Sequence, residues 1–321
     1  MSKRVTTVLM LGGAKRVSLA RLLQAAGEQR NTIVRILSYE ITPTVPIAAV
    51  GEVIMGRRWR DADILDDLTN IILREGVDIV LPFVDGAIEV ASRLKERNPS
   101  TFIPVSPFDV AHAMFDKAEA ARVFEQAGIP IPATYTAENC RYPAILKPRE
   151  GSASKGIRIV YNKEDLADVD NIEKYLLQEY ISDREEYTVD CYVSVLSGMV
   201  KCTVPRLRIS TSGGEVDRTQ TRRIAELMEM SEHILTALKF RGPVTLQFLH
   251  DKSTNRYLLM EINPRLGGGV VCSILANADI PKMLLCEADG IEARRCDDWR
   301  DNALMARYFS EVMFYEDDEQ R

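Results

Sequence analysis

The sequence lacks several features that mark common classes of protein. Its six cysteines form no CxxC pair and its three histidines lie far apart in the chain, so neither a disulfide framework nor a histidine-rich metal site is predicted. The apolar stretch after Met1-Ser-Lys-Arg4 is too short for a signal peptide or a membrane span. We therefore expect reduced thiols and a cytoplasmic protein that does not bind a membrane.

The charge balance also excludes one class of partner. The 321 residues carry a formal net charge of −6, and no basic patch interleaved with aromatic residues is present, so no nucleic-acid partner is expected. A hydrophobic share of 46% with 27% charged residues is typical of a globular protein of two or three domains.

The first third of the chain alternates between strand and helix patterns. The apolar run from Val5 to Leu11, the pair Gly12-Gly13 and the helical pattern from Val17 to Ala26 predict a strand, a tight turn and a helix, which open an α/β domain. The glycine pair lacks the full GxGxxG spacing, so a structural turn is favoured over a dinucleotide site. Prolines near residue 107 indicate a boundary.

Later segments are expected to form an α+β region. The predicted elements are a helix over 109–127, strands over 144–147, 156–161 and 175–180, a hairpin over 187–209, a helix over 218–240 and a last strand over 306–315.

The most informative segment runs from Tyr257 to Gly269. Glu261, Asn263 and Arg265 follow an apolar run at two-residue spacing, which places them on one face of a strand. If a hairpin turn centres near Thr254, Gln247 lies across the ladder from Glu261. Such oxygen ligands suit Mg²⁺ bound together with phosphates, and Arg265 would meet a phosphate oxygen. The alternative is an amphipathic hairpin whose polar face meets water.

A small-residue loop runs from Gly151 to Gly156 between two predicted strands and includes Ser152 and Ser154. Its backbone N–H groups could approach phosphate oxygens and close over a nucleotide. The loop lacks the order of a Walker motif, and a flexible hairpin turn is an equally good interpretation.

Four charged residues upstream of the hairpin fit a nucleotide site. Lys147 ends an apolar strand, where a buried ammonium group needs an anion. Lys117 lies in the predicted helix over 109–127, where a solvated lysine is the plainer alternative. Glu179 and Glu186 flank a connection between strands that could meet adenine and ribose. An exposed acidic loop is the alternative for Glu186.

Two arginines and a glycine turn could recognise a further anion. Arg206 and Arg208 share a strand face and suit a planar carboxylate or phosphate, although two exposed arginines are the plainer alternative. The turn from Gly267 to Gly269 precedes a helical stretch and could either present N–H donors or serve only as a tight turn.

Taken in order, these residues resemble the ATP-grasp superfamily, and most closely one synthetase half of the carbamoyl phosphate synthetase large chain. The likeness covers nearly the whole chain. The matching pieces are Asp116-Lys117, Ile145-Leu-Lys147-Pro148, the loop from Gly151 to Gly156, Leu177-Gln-Glu179, Glu186-Tyr187, Val244 to Phe248 around Gln247, and Glu261-Ile-Asn263-Pro-Arg265.

The resemblance implies an α/β and α+β fold in three regions: a Rossmann-like pre-ATP-grasp domain over 1–107, a lid with the Gly-rich loop over 108–180, and a subdomain with the metal site over 181–321. ATP would lie between the last two. The implied nucleotide contacts are Lys117, Lys147, Gly151, Ser152, Ser154, Gly156, Glu179, the backbone of Tyr180 and Ile181, and Glu186. The implied ligands of Mg²⁺, or of Mn²⁺, are Gln247, Glu261 and Asn263. The residues expected in catalysis are Arg265, Lys147 and Arg206, with Arg208, Asp85 and the turn from Gly267 to Gly269 as further candidates for the substrate pocket.

The implied function is that of an ATP- and magnesium-dependent ligase. It would activate a small carboxylate as an acyl phosphate and couple it to an amine, without nucleic acid or membrane, and as a homodimer if it follows a common pattern of the superfamily. An ATP-binding scaffold or regulatory module without turnover and a small-molecule phosphotransferase on the same fold are the alternatives. The full synthetase chain has two such halves whereas this chain has one copy, so the resemblance implies the reaction class rather than carbamoyl phosphate as the product.

Overall fold

The computed structural model describes residues 3–151 and 155–315. The chain forms two compact units. Among the described residues, the first comprises 3–105, 279–293 and 307–315, and the second comprises the rest.

A parallel sheet forms the centre of the first unit. Its elements up to residue 105 are β1 (Arg4–Leu11), α1 (Val17–Gln29), β2 (Thr32–Glu40), β3 (Glu52–Met55), α2 (Ile64–Glu75), β4 (Ile79–Pro82) and α3 (Asp85–Arg97). The strands are parallel in the order β3-β2-β1-β4. This arrangement confirms the predicted α/β domain. The segment around Phe102 makes only an isolated bridge to Ile79.

Two antiparallel sheets form the second unit. Its elements begin with α4 (Phe108–His112), α5 (Lys117–Gln126), β5 (Ala144–Pro148), β6 (Arg158–Val160), α6 (Lys163–Ala167) and β7 (Tyr175–Glu179). They continue with β8 (Arg184–Val193), β9 (Val200–Ser212), β10 (Glu215–Thr221), α7 (Ala225–Ala237), β11 (Gly242–Asp251), β12 (Arg256–Asn263) and α8 (Val270–Leu275). The next helix, α9 (Ile280–Ala288), belongs to the first unit, and the last strand, β13 (Leu304–Ala306), belongs to the second. One sheet has the order β6-β5-β7 and the other β12-β11-β8-β9-β10-β13.

The helix α9 packs with the first unit, although the sequence division assigned its residues to the third region. It buries Ile280 and Leu284 and contacts α1. Asp289, which follows it, forms ion pairs with Arg4 at 2.6 Å and with Arg30 at 2.7 Å. These contacts are distant in sequence, so no local pattern predicts them.

Three predicted elements differ from the structure. A helix was predicted over 218–240, but the observed helix α7 starts seven residues later, at Ala225, because the first of these residues belong to β10. The predicted helix over 109–127 is two helices, since Asp116 accepts hydrogen bonds from the amides of Ala118 and Glu119 and so caps a new helix. Of the last predicted strand, only Ala306 belongs to β13. Within the described ranges, no helix is long and apolar enough to cross a membrane.

The six-stranded sheet has two unlike faces. One packs on α7 and forms a core that includes Val189, Leu246 and Phe248 from the strands and Leu227 and Ile234 from the helix. Each such side chain contributes about 1.5–3 kcal/mol on burial. The opposite face carries polar side chains, and the predicted metal-binding residues lie there.

Candidate active site

The hairpin of β11 and β12 carries the predicted metal ligands. Gln247 pairs with Glu261 across the ladder, and Thr245 pairs with Asn263, which confirms the expected register. Between Gln247 and Phe248 the register shifts, because Phe248 pairs with Leu259 and Met260 is an extra residue. This bulge lets Leu259 and Ile262 both join the core while Glu261 stays on the polar face.

The side chains after the bulge form a short polar chain. Asn263 Nδ2 donates to Glu261 Oε1 at 2.6 Å, and the Arg265 guanidinium donates to Asn263 Oδ1 at 3.1 Å. Thr245 Oγ1 donates to the carbonyl oxygen of Arg265 at 3.0 Å. The Arg265 Nε atom is buried and has no hydrogen-bond partner among the described residues. An unsatisfied cationic donor at this place fits an anionic ligand.

The oxygen atoms of these side chains suit a hard divalent cation that also binds the oxygens of a phosphate ligand. Gln247, Glu261 and Asn263 offer two amide oxygens and one carboxylate, the kinds of ligand that Mg²⁺ accepts beside waters and phosphates. Within residues 3–151 and 155–315, no three His, Cys, Asp or Glu side chains converge as a metal site. A cation held by these three residues would therefore depend on the bound ligand to complete its coordination.

Arg208 joins this group to Glu186. Its guanidinium donates to Gln247 Oε1 at 3.3 Å, and its Nε lies 3.5 Å from Glu186 Oε2. The carboxylate of Glu186 is 37% exposed and so is open to a ligand. The structure thus brings the predicted ribose residue and the predicted metal ligands together through one arginine.

Lys147 belongs electrostatically to the same group. Its ammonium donates to Gln178 Oε1 at 3.0 Å. Burial lowers the pKa of Lys147 to about 8, an effect that the carboxylate of Glu261 partly offsets and the charge of Lys117 reinforces. A bound phosphate would supply the negative charge that this lysine lacks.

The Gly-rich loop is tied to the start of α5. Lys117 Nζ donates to the Gly151 carbonyl at 2.7 Å, and the Lys117 amide donates to the Arg149 carbonyl at 2.8 Å. Arg149 in turn pairs with Asp116. Gly151 and Gly156 have φ angles of +100° and +75°, which favour glycine. Ser152 and Ser154, which are also predicted contacts of this loop, lie outside the described residues.

The predicted adenine segment is held by protein contacts. The Glu179 amide donates to the Ala133 carbonyl at 2.8 Å, and the Ala133 amide donates to the Glu179 carboxylate at 3.3 Å. The same carboxylate lies 3.2 Å from the guanidinium of Arg256. Arg184 donates to the carbonyl of Ile181 at 2.7 Å and lies over the ring of Tyr180. These contacts fix the strand end where a nucleotide base is predicted to lie.

Arg206, predicted to act in catalysis and named as a candidate for the substrate pocket, is buried in the sheet. It is 1% exposed and forms a two-pronged ion pair with Asp190, at 2.7 and 3.2 Å. Arg208 shares its strand face but reaches Gln247 instead. Asp190 was not predicted, although its four-residue spacing from Glu186 along β8 places both on the polar face. Asp85 begins α3 in the first unit.

A family model described as "ATP-grasp in the biosynthetic pathway with Ter operon" matches residues 171–308. Among curated proteins, the chain is 24% identical over 273 residues to biotin carboxylase 1 of Bacillus subtilis, covering 70% of this chain and 58% of that protein. It is 24% identical over 306 residues to the carbamoyl phosphate synthase large chain of Thermotoga maritima, covering 83% of this chain and 28% of that protein.

Solved structures share the fold across both units. The biotin carboxylase domain of the Hydrogenobacter thermophilus 2-oxoglutarate carboxylase, solved as a dimer with MgADP, ADP and bicarbonate, aligns with a TM-score of 0.71 at 21% identity, covering 93% of this chain and 73% of that one. The N5-carboxyaminoimidazole synthetase of Staphylococcus aureus, in complex with ADP, aligns with a TM-score of 0.71 at 17% identity, covering 95% and 82%. These likenesses show the fold alone.

Proposed function

We propose that this chain, which has the ATP-grasp fold and matches an ATP-grasp family model over residues 171–308, is an ATP- and magnesium-dependent ligase. It joins a small carboxylate to an amine. The observation that carries the proposal is the facing pair Gln247 and Glu261, continued by Asn263 and Arg265 on the polar face of the sheet. The proposal keeps the division into a first domain, a lid over 108–180 and a subdomain with the metal site.

Each residue of the group has a defined task in this proposal. Gln247, Glu261 and Asn263 hold Mg²⁺, which neutralises charge on the phosphates that it binds. Lys147 and Lys117 contact phosphate oxygens, and Glu186 accepts hydrogen bonds from the ribose hydroxyls. Arg265 donates to the oxygens of the group being transferred, because its buried Nε has no partner among the described residues.

The reaction has two steps. A carboxylate oxygen of the substrate attacks the γ-phosphorus of ATP, the bond to the bridging oxygen breaks, and ADP leaves. An amine nitrogen then attacks the acyl carbon, phosphate leaves with the former carboxylate oxygen, and the nitrogen loses a proton. Phosphoryl transfer asks the protein mainly for positioning and charge stabilisation, which lysines, an arginine and a cation provide. The acyl phosphate needs shelter from water, a task suited to a lid.

The similar proteins support this reaction class. Two are named as a carboxylase and a carbamoyl phosphate synthase, and one solved neighbour holds MgADP and bicarbonate in a domain dimer. We extend from them the use of ATP and Mg²⁺ and a homodimeric state. We also propose a cytoplasmic location, which rests on the cysteine pattern of the sequence. This chain spans 58% of the Bacillus protein and 28% of the Thermotoga protein. We therefore do not take the identity of the acid or of the amine from these relatives.

The test is the release of ADP by the purified chain with Mg²⁺, across a panel of carboxylic acids with and without amines. ADP release that requires both substrates, together with an amide product seen by mass spectrometry, is the expected result. A stable phosphorylated acid would instead identify a phosphotransferase. Binding of ATP without turnover for any pair would identify a scaffold, and either outcome would overturn the ligase proposal.

A further inference from the structure

A buried ion pair lies beneath the segment that follows Arg265. Asp190 on β8 and Arg206 on β9 are each 1% exposed. The carboxylate of Asp190 accepts two hydrogen bonds from Arg206 and one from Ser273 Oγ at 2.5 Å. Arg206 also donates to Thr219 Oγ1 at 3.0 Å. Each of the three guanidinium nitrogens therefore donates a hydrogen bond to a partner, and Ser273 links the ion pair to α8.

The same guanidinium lies directly against the glycine turn. A Cβ atom added to Gly269 would lie 2.6 Å from one terminal nitrogen of Arg206 and 2.8 Å from the other, and 2.7 Å from Val216 Cγ1. A Cβ atom on Gly267 would lie 2.9 Å from Thr245 Oγ1, the group that binds the Arg265 carbonyl. The backbone of the turn thus rests on two buried polar side chains of the sheet.

We infer that Arg206, held by Asp190, is a positioning residue that fixes the turn from Gly267 to Gly269 and, through it, the placement of Arg265. As a catalytic aid this inference rests on the proposed function. Its structural part does not, because the contacts among Arg206, Asp190 and Gly269 exist whatever the protein catalyses. Arg206 acts from beneath the turn and does not itself touch the reacting groups.

The cost of the ion pair supports a role beyond packing. Charges removed from water lose several kcal/mol of solvation each, and apolar residues of similar volume often stabilise a core as well or better. The pair gives directed contacts that an apolar core cannot, since Asp190 binds β9 and α8 at once and the flat guanidinium leaves room for a backbone without a Cβ atom. The geometry of the turn depends on both properties.

The first test is Arg206→Lys, which keeps the charge but loses the two-pronged contact. Amide exchange of residues 266–272 should rise about tenfold while exchange in β11 is unchanged. In the ligase assay, kcat should fall about tenfold or more and the KM for ATP should change less than about twofold. Ile234→Val is the matched control, because this buried residue of α7 belongs to the core on the opposite face of the sheet; it should change neither the exchange of the turn nor kcat.

The second test is Gly269→Ala, which leaves the ion pair intact and remains available if Arg206→Lys does not fold. It should raise exchange over 266–272 as well, because the new Cβ atom meets the guanidinium. In the double variant, the increase in exchange should be smaller than the two single increases combined, since lysine lacks both nitrogens that the new Cβ atom meets.

Unchanged exchange of the turn in folded Arg206→Lys, or in Gly269→Ala where the first variant does not fold, would overturn the inference. Failure of the wild-type protein to turn over any substrate would overturn the proposed function instead, and the exchange experiment would still decide whether Arg206 positions the turn. Altered exchange with unchanged kcat in an active enzyme would refute the catalytic part alone.

Discussion

The two larger sheets of this chain differ in what they bury. In the parallel sheet of the first unit, the last six residues of β1 are all buried, and no charged side chain is among them. In the antiparallel sheet of the second unit, one face joins an apolar core and the other carries Glu186, Asp190, Arg206, Arg208 and Glu261. Both sheets are well packed, but among the described residues only the antiparallel sheet buries charged side chains within its strands, such as Asp190 and Arg206 at 1% exposed each. The charged side chains of the parallel strands, such as Arg35 and Glu52, are partly or fully exposed.

The difference indicates where the chain performs chemistry. A strand covered on both faces by helices must be apolar throughout, and its sequence reads as a continuous hydrophobic run. Charged side chains in the strands of a folded unit cost solvation free energy, so they persist where they bind each other or a ligand. The comparison therefore predicts that substitutions on the polar face affect activity, whereas polar substitutions at the end of the parallel sheet affect stability.

The largest effect is expected for Glu261→Ala. Removing the only carboxylate of the proposed cation site should lower Mg²⁺-dependent ADP release about 100-fold or more, with circular dichroism unchanged. Glu229→Ala, an exposed carboxylate on α7, is the matched control and should retain wild-type rates. Wild-type turnover in the Glu261 variant would remove the basis for the metal assignment.

A pH series tests Lys147. Because burial lowers its pKa to about 8 from 10.5, nucleotide affinity measured by calorimetry should fall as pH rises through 8. Lys147→Arg should remove that fall, since arginine stays charged. Stability should move the other way in the ligand-free protein: the unfolded chain binds the extra proton between about pH 8 and 10.5, so the free energy of unfolding should rise with pH there. A nucleotide affinity that is flat through this range would contradict the assignment.

A smaller effect is expected for Glu186→Ala. If this carboxylate binds ribose, the variant should lose about five- to tenfold in affinity for ATP but little for ATP analogues that lack the ribose hydroxyls. The loss should appear in KM rather than kcat. Equal losses for all nucleotides would place the carboxylate away from the sugar.

The smallest effect on activity is expected in the first unit. Glu40 ends β2 and accepts a hydrogen bond from Ser38 at 2.7 Å, and burial raises its pKa. Glu40→Gln should leave nucleotide affinity and kcat within about twofold and change Tm by no more than a few degrees, because glutamine keeps an oxygen that accepts from Ser38 and removes a charge that burial disfavours. A large loss of activity would show that the contrast between the two sheets is weaker than we propose.

Local patterns predicted what depends on local structure. The alternation of Glu261, Asn263 and Arg265, with a polar turn upstream, predicted the pairing with Gln247. The pair forms, however, only because a bulge at Met260, which was not predicted, shifts the register. The burial of Arg206 was not predicted, because it depends on Ser273 of a later helix and on the turn at Gly269, which are distant in sequence. The packing of α9 in the first unit was not predicted for the same reason, since it depends on contacts with α1, which are distant in sequence.

The extra residue Met260 makes the hairpin tolerant of one change in length. Ahead of the bulge Phe248 pairs with Leu259, so in a regular ladder the next residue of β12 would face Gln247. If Met260 were deleted, Glu261 would directly follow Leu259 and would therefore face Gln247 in the regular ladder. Ile262 would still point into the core. Related chains could therefore gain or lose a residue here and keep the same pair of ligands, which means that spacing alone is a poor guide for recognising this site in other sequences.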